Sequence, residues 1–184
     1  NFHIQFGYRF NEYLSLTGML NGCVNRYDYV ELQNWLTEQY AGALPETSWV
    51  VETKSWGQGG LMAGVTGSLP LVTNRLFFEA RLLGGILYAY SPAIYITGVE
   101  DGEEDKILNI EQSNAPSWVV DAGAGFRWNR TRKQYFMLYA DYMTARPGFK
   151  DVRLNTNFGI ERDDAFTQQM NTINISIGIG YIVN

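Results

Sequence analysis

The chain has 184 residues, a formal net charge of −5, 18% charged and 15% aromatic residues, and a mean hydropathy of −0.19. This length suits one domain, and the acidic balance argues against nucleic acid as a partner. No apolar run approaches the roughly 20 residues of a membrane helix, which excludes a helical membrane protein but not a β-barrel, whose alternation hides its apolar residues from any average.

Period-two alternation runs through every segment that can form a strand. Residues 1–10 place Phe2, Ile4, Phe6, Tyr8 and Phe10 on one face and His3, Gln5, Gly7 and Arg9 on the other. After a break at Asn11-Glu12, residues 14–25 set Leu14, Leu16, Leu20 and Val24 against Ser15, Thr17, Met19, Asn21, Cys23 and Asn25. Cys23 is the only cysteine, so no intramolecular disulfide forms. A long loop is expected over about 26–56. Within it Tyr29, Leu32, Leu36 and Tyr40 fall at helical spacing and Gly42 marks a stop, which predicts a short helix. That helix either caps a barrel mouth or presents Trp35 and Tyr40 to a partner.

The third strand, about 57–71, opposes Leu61, Ala63, Val65 and Leu69 to Met62, Gly64, Thr66 and Ser68. The fourth, about 75–90, opposes Leu76, Phe78, Leu82, Ile86, Tyr88 and Tyr90 to Glu79 and Arg81. A second long loop, about 91–116, carries Glu100, Asp101, Glu103, Glu104 and Asp105 around Gly102. Carboxylates are the ligands a hard divalent cation takes. The run is therefore a candidate divalent-ion loop, although its spacing does not match an EF-hand and a solvated acidic loop is the alternative.

The fifth strand, about 117–128, opposes Trp118, Val120, Phe126 and Trp128 to Asp121, Gly123, Gly125 and Arg127. A basic turn, Arg130–Lys133, leads to the sixth, about 135–145, with Phe136, Leu138 and Tyr142 against Tyr139 and Asp141. A third long loop, about 146–168, precedes the last strand, 170–183, where four isoleucines and Tyr181 oppose Asn174, Ser176, Gly178 and Gly180.

The apolar faces end in large aromatics: Phe2, Phe10, Tyr90, Trp118, Trp128, Tyr142 and Tyr181. A membrane barrel places its interfacial girdles there. The other faces carry glycine and charges of both signs, which suits a narrow interior of about eight strands. Short and long connections alternate along the chain, as in outer-membrane barrels with periplasmic turns and extracellular loops. The reading is an all-β, up-and-down antiparallel transmembrane barrel forming a single domain over residues 1–184. Seven strands beginning outside give the wrong parity, so an eighth, running outward before Asn1, is expected; residues 49–55 are the alternative source of an extra strand. An exported protein needs a signal peptide and none is seen, so on this reading the chain is processed or trimmed.

FHIQFGYRFNEYLSLTGMLNG, SLPLVTNRLFFEARLLGGILYAY, VVDAGAGFRW with QYFMLYADYM, and NINISIGIGYIV resemble strands of the porin-like outer-membrane β-barrel domain common in Bacteroidetes. The resemblance covers most strands and none of the loops. Such barrels usually finish on an aromatic residue, whereas here Tyr181 is followed by Ile182, Val183 and Asn184. It implies an outer-membrane location with long loops extracellular and short turns periplasmic. Partners are then outer-membrane lipid and lipopolysaccharide, and other outer-membrane or periplasmic proteins.

Arg9, Arg81 and Arg127 share the interior with Glu79, Asp121 and Asp141, and these six can pair almost completely. His3, the only histidine, faces inward without a serine two residues on, so catalytic residues and cofactors are not expected. The expected role is non-enzymatic: the barrel anchors extracellular loops for binding, or serves as an accessory subunit of a larger complex. The alternatives are a narrow channel for ions or small solutes, an enzyme acting on outer-membrane lipid, and a soluble calycin-like carrier.

Overall fold

A computed structural model of the chain describes residues 2–25, 29–42, 46–73, 75–100, 103–131, 133–156 and 161–182; residues 103–107, 151 and 161–163 are described by their backbone alone. In chain order the elements are β1 (Phe2–Arg9), β2 (Leu14–Asn25), α1 (Tyr29–Tyr40), β3 (Ser48–Thr53), β4 (Trp56–Val72), β5 (Leu76–Tyr90) and β6 (Ile94–Glu100). They continue with β7 (Glu103–Ile110), β8 (Asn114–Asn129), β9 (Gln134–Ala145), β10 (Gly148–Thr156), β11 (Glu161–Thr167) and β12 (Met170–Tyr181). The fold is all-β with one helix, built as two antiparallel sheets.

The first sheet has seven strands in the order β1-β2-β4-β5-β8-β9-β12 and curls into a half-barrel. These are the seven strands that the alternation predicts, each within a few residues of its expected bounds. Short turns join them in pairs. The Asn11 carboxamide oxygen accepts from the backbone of Tyr13 (2.8 Å) and Leu14 (2.9 Å), and the Thr131 hydroxyl accepts from Lys133 (3.2 Å) and Gln134 (3.0 Å). Both are side-chain mimics of a backbone turn.

The expected long loops are not loops. Residues 26–56 hold α1 and β3, 91–116 hold β6 and β7, and 146–168 hold β10 and β11. The five strands make a second sheet, β11-β10-β7-β6-β3. Residues 49–55 thus do contribute a strand, but β3 pairs with β6 and adds nothing to the half-barrel. The helix forms at the predicted place because Leu36, with Leu32 beside it, packs on Trp49, Val51 and Ile96 of the second sheet. Tyr29 and Trp35 remain exposed.

The two faces of the half-barrel are inverted relative to a protein with an apolar core and a polar surface. Large apolar residues point outward: Trp118 is 79% exposed and Ile177 83%. The concave face holds Glu79, Arg81, Asp121, Arg127 and Asp141, all buried. Above the other four charges and level with Asp121, toward the second sheet, lies an apolar stratum of Met19, Met62, Leu83, Val119 and Met143. Phe149 and Val152 of β10 close over it.

Candidate functional site

The concave face of the half-barrel brings the chain's buried charges together. Strand register dictates which meet. Ser68 on β4 pairs with Glu79 on β5, Glu79 with Gly125 on β8, and Gly125 with Tyr139 on β9. Two residues further along, Thr66, Arg81, Gly123 and Asp141 form the next rung. In both rungs a glycine on β8 separates the interacting side chains. A Cβ at Gly123 would fall on the Asp141 carboxylate and lie 3.2 Å from Arg81 Nε. One at Gly125 would fall on the Leu138 carbonyl and lie 2.8 Å from the Tyr139 ring. The glycines therefore supply the space in which residues two strands apart reach each other, the close approach for which glycine is suited.

Over Gly123 the Arg81 guanidinium makes a forked contact with Asp141, donating from Nε to Oδ1 (2.8 Å) and from Nη2 to Oδ2 (2.7 Å). Its Nη1 donates to Gln5 Oε1 of β1 at 2.6 Å, and its Nε lies 3.8 Å from Asp121. Over Gly125 the Glu79 carboxylate accepts from Arg127 Nε (2.7 Å), from the Ser68 hydroxyl (2.9 Å) and from the Tyr139 hydroxyl. Cation–π stacking of Arg81 over Tyr139 at 4.4 Å links the rungs, and Arg127 stacks over Phe77, its cross-strand partner, at 4.2 Å. Thr17 and Thr66 share a buried hydrogen bond of 2.7 Å.

Five of the six predicted charges therefore form one buried network. Arg9 does not join it: it is exposed and forms no ion pair among the described residues. Tyr139, Ser68 and Gln5 are members that the charge pattern alone misses. Their inward parity was the available signal, but parity does not report which inward residues touch. His3 lines a cavity of about 690 Å³ with Gln5, Asp121 and Asp141. Cys23 is buried and lines the same cavity.

The candidate divalent-ion loop is the tip of a hairpin. Glu100 ends β6, the backbone of Glu103, Glu104 and Asp105 lies in β7, and Asp101 and Gly102 lie outside the described residues. Among the described residues no cluster of three or more His, Cys, Asp or Glu side chains is arranged to hold a metal. All seven predicted interface aromatics, Phe2, Phe10, Tyr90, Trp118, Trp128, Tyr142 and Tyr181, are exposed on the convex face. Phe10, Trp128 and Tyr181 mark the turn end, and Phe2, Tyr90, Trp118 and Tyr142 lie toward the other. No protein-family model, no curated protein and no solved structure matches the chain.

Proposed function

We propose that this is a non-enzymatic outer-membrane protein. Its seven-stranded sheet is the wall of an eight-stranded transmembrane barrel, and its second sheet with α1 is an extracellular platform for binding a partner. The eighth strand runs outward ahead of residue 1. The carrying observation is the inversion of the half-barrel: isoleucine, leucine and aromatic side chains cover its convex face while paired charges fill its concave face. Soluble monomers rarely expose a contiguous apolar surface on that scale, whereas hydrocarbon favours it and aromatic residues suit both interfaces. The network supports an anchor more than a channel. Its charges are largely neutralised in place, and the methionine-rich stratum lies across the interior above them.

Reconstitution into liposomes followed by trypsin tests this. Cleavage is expected at Lys54, Lys150 or Arg153 in the second-sheet region when that side faces out, with Arg81 and Arg127 uncut. Digestion at Arg81, or recovery as a monodisperse protein without detergent, would overturn the membrane reading.

A further inference from the structure

The strands at the two ends of the half-barrel pair on one side only among the described residues: β1 with β2, and β12 with β9. Their free hydrogen-bonding groups can be assigned. Phe10 N–H donates to the Leu14 carbonyl (3.0 Å). Antiparallel ladders alternate bonded and non-bonded pairs. Counting back, β2 takes the backbone of Tyr8, Phe6, Ile4 and Phe2, so that of His3, Gln5, Gly7 and Arg9 turns away. At the other edge Ile182 N–H donates to the Lys133 carbonyl (2.8 Å). By the same count β9 takes Gly180, Gly178 and Ser176, and the backbone of Ile173, Ile175, Ile177 and Ile179 turns away.

These two edges face one space. His3 and Gln5 line the 690 Å³ cavity from one side and Ser176 and Gly178 from the other. Arg9 and Tyr181 bound a second cavity of about 590 Å³ at the turn end. Alternating strand direction across the seven-stranded order leaves β1 and β12 running the same way. One strand antiparallel to both closes the ring, whereas two would force a parallel pair.

The interior also specifies what that strand carries. Among the described residues five buried side-chain polar atoms make no hydrogen bond, and two of them belong to charged groups, Asp121 Oδ1 and Arg127 Nη2. Asp121 lines the first cavity and Arg127 the second. With Arg9 exposed, two buried arginines face three buried carboxylates on the concave face, so an added carboxylate would be buried without a partner, which is costly. Beside the first cavity space is short: a Cβ on Gly178 would lie 2.7 Å from Met137 Cε.

We propose that the seam between β1 and β12 is a binding site for a single β-strand that is apolar at its outward positions and small, polar and free of carboxylates at its inward ones. The strand offers a donor to Asp121 and an acceptor to Arg127. The inference rests on reading the sheet as a barrel wall, and the occupant is the outward-running strand ahead of residue 1. Ile182 N–H extends the β12–β9 ladder to Lys133, so the β12 edge facing the seam is left open along its length.

The test uses residues 1–184 folded in detergent micelles and two synthetic strand peptides of about 11 residues. One alternates Val or Leu with Ser, Asn and Gln; the other carries two Glu at inward positions. Amide exchange resolved by NMR is the readout. The neutral peptide is expected to slow exchange about 100-fold at His3, Gln5, Gly7, Ile175 and Ile177. Ile4, Phe6 and Ser176, already bonded, should not change. The Glu peptide is expected to bind at least about tenfold more weakly. In Ile177→Pro, which removes one seam-facing N–H and leaves the β9 ladder intact, peptide binding is expected to be lost while β9 protection persists. Protection of one edge or neither, or equal binding of the Glu peptide, would overturn the proposal while a detergent requirement keeps the membrane reading. Protection of both edges without peptide, at twice the monomer mass, would overturn it in favour of a second copy. A monomer stable without detergent would overturn the membrane reading instead.

Discussion

Arg81 is the residue on which the interior turns. It is 4% exposed, holds Asp141 in a fork through Nε and Nη2, donates to Gln5 from Nη1, and has Asp121 3.8 Å from its Nε. Arg81→Met is expected to cost about 3–5 kcal/mol, because it leaves buried carboxylates without their cation. Arg81→Lys should recover only part of this, since an ammonium cannot reproduce the planar fork. Urea unfolding in micelles, followed by tryptophan fluorescence, measures both. Gly123→Ala tests the space beneath the fork. Its Cβ overlaps the Asp141 carboxylate, so a loss of about 1–3 kcal/mol is expected from overpacking. On the convex face the decisive residue is Ile177. Arginine there should cost about 2–4 kcal/mol if the strand crosses a bilayer midplane, and within about 0.5 kcal/mol of nothing if the face meets water. Unfolding measured in lipid vesicles separates the two.

At the scale of elements, the helix and the second sheet depend on each other. Leu36 is the buried residue of α1 and meets Trp49, Val51 and Ile96. Leu36→Ala is expected to remove about 2–5 kcal/mol of local stability. Faster amide exchange in β3 and β6 with unchanged exchange in β5 would show that the two sheets open separately; equal loss in β5 would show that they do not. The helix was legible because Tyr29, Leu32, Leu36 and Tyr40 keep helical spacing. The second sheet was not. Its pairings carry register shifts between Ile96 and Thr97 and between Phe149 and Val152, and a shift of this kind breaks alternation. β7 also opens on the charged run Glu103, Glu104, Asp105 and Lys106, which reads as solvated loop. Trp49 and Val51 buried against Val50 and Glu52 exposed gave β3 a strand pattern, but nothing local says which sheet it joins.

For the whole molecule, on the barrel reading proposed above, the consequence is an interior blocked between its two ends. The charges lie toward the short turns, the methionine-rich stratum lies above them, and β10 closes over that with Phe149 and Val152. In planar bilayers the protein is expected to show no discrete conductance. Steps that persist across preparations would favour the channel reading. Met62→Ser with Met143→Ser wets the stratum without touching the ion pairs and is the variant in which leak should first arise.

The sequence by itself determined the seven strands, their faces and the turns between them. Period two is a local property: the parity of Arg81, Asp121 or Trp118 within its own strand decides which face it takes. It also determined that charges of both signs share one face. Only the tertiary structure decided how they pair. Arg81 forks with Asp141 and not Asp121, Arg127 takes Glu79, and Arg9 takes none of them among the described residues. Those choices depend on register across three strands and on glycines at 123 and 125 that let side chains meet above an intervening strand. The second sheet was likewise a tertiary decision, because its strands are short or irregular and its two hairpins, β6–β7 and β10–β11, join each other and β3 across segments far apart in the chain.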